Sequence, residues 1–150
     1  MGIKIVAQNK KAFHDYHILD TIEAGVVLSG DEVKSLRAGH VSMSGSYATF
    51  KNGELHLTNC TISAYAQAYS KEYEPTKSRK LLLHKRELHR LFGDVSKKGV
   101  TLIPLKIYFN ERGIAKVAIG VCKHKKATDK RLELRERDIA RETRRELKHS

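Results

Sequence analysis

From Tyr16 to Leu28 the chain alternates between two kinds of position. Ile22, Ala24, Val26 and Leu28 fall on one side, and Thr21, Glu23, Gly25 and Val27 on the other. A period of two predicts a strand with one buried face. Gly25 in its middle predicts a bend or bulge. Ser29 and Glu32 then stand at capping-box spacing and open a short helix, with Val33 and Leu36 on one face and Gly39 as its stop. Tyr47 to Lys51 and Glu54 to Thr58 flank Asn52-Gly53, the dipeptide that most strongly specifies a two-residue hairpin. Cys60 to Ala64 reads as a short extended piece. Residues 66–80 are polar, contain Pro75, and read as a loop. Over His84 to Lys98 the period changes: Leu88, Leu91, Phe92 and Val95 share one side of a helix that faces a core, and Gly99 ends it. Two strands follow, Leu105 to Phe109 and Ala115 to Val121. In the second, Lys116, Ala118, Gly120 and Cys122 point away from the apolar face. Residues 1–13 are short, polar and basic, and are expected to be loosely held.

About six strands with helices between them predict a mainly β fold with flanking helices. A mostly antiparallel barrel of the oligonucleotide-binding type fits this order. A small α+β sandwich fits the same periodicity. The pattern stops near residue 122, which divides the chain into a β-barrel domain with inserted helices (1–122) and a basic C-terminal tail (123–150).

Charge gives this division a meaning. The 150 residues carry a formal charge of +12. The tail has eleven basic and six acidic residues, a net of +5, so the body itself carries +7. A basic domain with a basic extension points to a polyanion, and nucleic acid is the commonest large one. The tail's few apolar residues form no stripe. Its spaced opposite charges, such as Glu133 and Arg137, support a helix only weakly. It is therefore expected to be disordered alone and helical against RNA.

Other chemistry has little footing. No Gly-rich loop has phosphate-cradling spacing. His14 with His17, or Cys122 with His124, lack further ligands at zinc-site spacing, so neither a metal nor a cofactor is expected. A nuclease would need a metal or acid–base cluster, and the spacing offers none. No run of about 18 apolar residues or secretory h-region is present, so a cytoplasmic protein with no membrane partner is expected. Cys60 and Cys122 read as two buried thiols in a reducing compartment. Among the carboxylates Glu23 stands out, because alternation places it on the outer face. There it is either a solvated edge charge or an acceptor for a base amino group or a ribose hydroxyl. Lys116 faces outward in the same way.

Several blocks together are more specific. Asn9-Lys10-Lys11-Ala12, Glu23-Ala24-Gly25, Glu32 to Gly39 (EVKSLRAG), Ser46-Tyr47, Arg79 to Leu83 (RKLLL) with Arg86-Glu87, and Lys125-Lys126 before Asp129-Lys130-Arg131 resemble, in order, the small protein B (SmpB) family of bacterial tmRNA-binding proteins. The resemblance runs from about residue 8 to the end. It implies an oligonucleotide-binding barrel and a non-enzymatic role in trans-translation, the rescue of stalled ribosomes. The body would hold the tRNA-like domain of tmRNA. The tail would occupy the empty mRNA channel of the small subunit, against rRNA near the decoding centre. The resemblance places Glu23, Leu82 and Lys116 on RNA with Asn9 beside them, and His84 where relatives often have Asn. It gives Lys125, Lys126, Asp129, Lys130 and Arg131 the action on the ribosome. Two positions depart from the family pattern: His124 replaces a usual Gly, which would stiffen the junction of barrel and tail, and Thr128 replaces a usual ring. A generic basic RNA-binding or ribosomal module, without tmRNA specificity, is the competing reading.

Overall fold

A computed structural model describes residues 3–64, 73–126, 131–132 and 135–137. Nine strands and three helices follow one another among them: β1 (Lys4–Gln8), α1 (Lys10–Asp15), β2 (Tyr16–Val26), α2 (Gly30–Arg37), β3 (Val41–Ser42), β4 (Tyr47–Lys51), β5 (Glu54–Thr58), β6 (Thr61–Ile62), β7 (Arg79–Leu82), α3 (Lys85–Lys98), β8 (Thr101–Phe109) and β9 (Ala115–His124). The main sheet runs β1-β8-β4-β5-β7-β2-β9, and a further pairing brings its last strand, β9, back onto β8. Six strands therefore close on themselves, with β1 added along β8. Closure excludes the sandwich, whose two sheets would keep free edges. All of these pairings are antiparallel.

The strand faces follow the alternation. Ile22, Ala24, Leu55, Leu57, Leu81, Leu102, Ile107, Val117, Ile119 and Val121 fill the barrel. The hairpin turns on Asn52 and Gly53 at φ +53° and +76°, the left-handed pair that a two-residue turn requires. α2 has both halves of its capping box: Ser29 Oγ accepts from the Glu32 N–H, and Glu32 Oε1 accepts from the Ser29 N–H.

Four expectations change. Residues 4–8 are a strand and 10–15 a helix, because β1 finds its hydrogen bonds on β8. Local sequence carries no sign of a partner nearly a hundred residues away. Residues 79–82 form β7 between β5 and β2 rather than ending a loop. Phe92 does not face the core; it is 57% exposed and meets Phe50 edge-on at the barrel rim. The bulge in β2 falls at Leu19, between Ile18 and Asp20, and Gly25 stays in register.

A second bulge, between Pro104 and Lys106, turns Leu105 to the outside. Leu105 joins Ile103, Cys122 and Ala12 in a small second core that seats α1 on the barrel. Gly120 makes the room: a Cβ there would lie 2.9 Å from Leu105 Cδ1 and 3.0 Å from Cys122 Sγ. The bulge leaves two carbonyls pointing out of the ladder, and Asn9 takes both. Its N–H donates to the Leu105 carbonyl at 2.8 Å and its Nδ2 to the Pro104 carbonyl at 3.1 Å. Its Oδ1 caps α1.

Candidate nucleic-acid interface

Three strand registers lay out one outer face. Tyr108 on β8 pairs with Lys116 on β9, Lys116 with Gly25 on β2, and Gly25 with Leu82 on β7. One step along, Lys106 pairs with Ala118 and Ala118 with Glu23. The barrel thus presents two parallel rows of side chains to the outside. A cavity of about 510 Å³ opens on this face. Glu23, Gly25, Leu82, His84, Glu87, Ile114 and Lys116 are among its lining residues.

Glu23 is the acceptor here. Its side chain is 54% exposed; Oε2 accepts from the Tyr108 hydroxyl, and Oε1 lies 4.0 Å from Lys116 Nζ. Burial, and then the hydrogen bond and charge of Glu23, hold the Tyr108 phenol well above the usual tyrosine range, so it remains a donor. Lys106 Nζ stands 5.4 Å from the centre of the Tyr108 ring. Leu82 and Ile114 are each half exposed and supply apolar contact. His84 is the residue before α3, and its side chain makes no capping bond. The turn bearing Ile114 is tied down from the far side by Arg37, which donates to the Gly113 carbonyl and lies over Phe109.

The structure brings Glu23, Leu82, His84 and Lys116 together. It sets Asn9 apart, at the start of α1, where its polar atoms are engaged as described above. Lys125 and Lys126 follow β9; Lys125 donates through its N–H to the Asp15 carbonyl and through Nζ to that of Phe13. His124 is the last residue of β9, paired with Tyr16, with ring centres 4.4 Å apart. Arg131 is exposed. Asp129 and Lys130 lie outside the described residues, as do Thr128, most of the rest of the tail and residues 65–72.

At the start of β7 lies a charged cluster that the sequence reading did not anticipate. Arg79 and Glu32, exposed at only 1% and 2% of their side chains, pair at 2.6 Å. Arg79 also donates to the carbonyls of Cys60, Pro75 and Lys77 and to the Tyr73 hydroxyl. Burial raises the Glu32 pKa, but the Ser29 N–H, Arg79 and Lys77 more than offset it and hold the carboxyl below its ordinary range. The signal in the sequence was an Arg two residues before an apolar run, in Arg79-Lys80-Leu81-Leu82-Leu83. Burial raises both thiols to about 11, and both are free cysteines. Among the described residues no three His, Cys, Asp or Glu side chains group as metal ligands. No described helix is long and apolar enough to cross a membrane.

Fold and face together define a small closed barrel of the oligonucleotide-binding type. The family model for SmpB protein matches residues 6–149. The chain is 52% identical over 145 residues to an SsrA-binding protein of Carboxydothermus hydrogenoformans, covering 97% of each. It is 54% identical over 136 residues to that of Thermus thermophilus, covering 91% of this chain and 94% of the relative. A solved chain described as "tmRNA-SmpB: a journey to the center of the bacterial ribosome" superposes with a TM-score of 0.68 at 53% identity, covering 86% of this chain and 94% of that one. The chain belongs to the SmpB family.

Proposed function

We propose that this protein binds the tRNA-like domain of tmRNA through the Glu23 face and delivers it to stalled ribosomes for trans-translation. The observation that carries the reading is the cavity of about 510 Å³ that gathers Glu23, Leu82, His84 and Lys116 from separate strands and a helix start. A fixed carboxylate acceptor, an apolar shelf and a cation suit the edges and sugars of unstacked nucleotides. The names of the SsrA-binding relatives and of the tmRNA–SmpB chain support the same partners.

Lys125, Lys126, Asp129, Lys130 and Arg131 then act on the ribosome, with the tail in the mRNA channel near the decoding centre. Asn9 serves the RNA face indirectly, by holding α1 to β8. The protein works in the cytoplasm as an adaptor, without catalysis and without a cofactor. Reconstituted translation of a message lacking a stop codon tests this. Tagged peptide should appear only when the protein and tmRNA are both present; tagging that is equal without the protein contradicts it.

A further inference from the structure

We propose that Tyr108 is a positioning residue for RNA recognition: its hydroxyl locks the inner oxygen of Glu23, so that the outer oxygen alone is presented to the RNA. The inference rests on the reading of Glu23 as an RNA acceptor.

The geometry is asymmetric in a useful way. Tyr108 is 4% exposed, whereas the Glu23 side chain is 54% exposed, and the bond joins Tyr108 Oη to Glu23 Oε2. One carboxylate oxygen is thus engaged from the protein side and the other lies toward Lys116 and solvent. A free glutamate loses several rotamers on binding, and a held one has already lost them. Holding also matters electrostatically. A mobile carboxylate on a basic, RNA-binding face would be drawn to the neighbouring cations and away from the RNA, whereas a fixed one meets the donor it was placed for.

The sequence makes the reach possible. Tyr108 lies on β8 and Glu23 on β2, with β9 between them. The residue of β9 opposite Glu23 is Ala118, a single methyl, and the next residue of β2 on that face is Gly25. Ala118 is on the outer face yet only 4% exposed, as a position crossed by a neighbouring side chain would be. Lys106 over the ring and Lys116 beside the carboxylate complete the support.

The test is a double-mutant cycle in filter binding, using a transcript of the tRNA-like portion of tmRNA and an unstructured single strand of equal length. Tyr108→Phe removes one oxygen and should weaken the tRNA-like RNA about three- to tenfold, the worth of one ordinary hydrogen bond, while leaving the single strand unchanged. In a Glu23→Ala background it should have no further effect. Ala118→Val, which keeps the hydroxyl but obstructs the crossing on a residue suited to a strand, should give the same selective loss. If Glu23→Ala weakens binding while both variants bind as wild type, or if Tyr108→Phe costs the same factor with and without Glu23, the positioning role is overturned and the acceptor role of Glu23 stands. If Glu23→Ala itself changes nothing, the underlying reading of the face falls, and the proposal with it.

Discussion

At the scale of the residue, Glu32 and Arg79 show how a motif can be specific without touching a ligand. The EVKSLRAG and RKLLL blocks meet in this pair, and Leu36 of the first block is fully buried. Arg79→Met should cost about 3–5 kcal/mol in urea unfolding, because it removes the buried partner of a buried carboxylate and leaves only the half-exposed Lys77, at 3.6 Å, to balance its charge. The pH dependence has a definite sign. The folded pKa of Glu32 lies below its ordinary 4.5, so its contribution is fully present above that value and lost as pH falls through the folded pKa. Glu32→Gln should be less stable at neutral pH and should lose less stability than wild type on further acidification, measured by urea unfolding at a series of pH values. On the outer face, Glu23→Ala should weaken binding of the tRNA-like RNA by about 1–3 kcal/mol. Alternation alone placed Glu23 and Lys116 outside, because that property is local to each strand. It could not nominate Tyr108, whose partner stands across an intervening strand.

At the scale of the element, legibility followed how local the cause was. The β4–β5 hairpin was readable because Asn52-Gly53 sets the turn by itself, and α3 because its apolar period runs from Leu88 to Val95, about two turns. β1 and β7 were hidden: one is short and borrows its order from β8, and the other begins with an arginine whose burial depends on Glu32 and on carbonyls that its own segment does not announce. Bulges hid in the same way, since the extra residue at Leu105 shows only once its partners on β9 are known. The second core tests this account. Gly120→Ala should destabilise the fold by about 1–3 kcal/mol, because its methyl would meet Leu105 and Cys122 at 3.0 Å or less. Thermal unfolding checks it, and pairing the change with Leu105→Ala should recover part of the loss.

At the scale of the molecule, the proposed function divides one process between two separable surfaces. In the proposed reading the barrel face takes the tRNA-like RNA, and the basic segment that follows β9 takes the ribosome. Tyr16 and His124 meet where β9 ends, with their rings tilted by 42°. Replacing Asp129, Lys130 and Arg131 together with Ala should leave affinity for the tRNA-like RNA nearly intact and abolish peptide tagging; a large affinity loss would place the tail on the wrong partner. The central claim is recognition of a folded RNA by this face rather than attraction by a net charge of +12. The most direct measurement is a filter-binding titration of the tRNA-like portion of tmRNA against a single strand of equal length, at two salt concentrations. A strong preference for the folded RNA that persists at the higher salt is the predicted result. Equal binding that collapses with salt would contradict it and leave charge alone as the driving force.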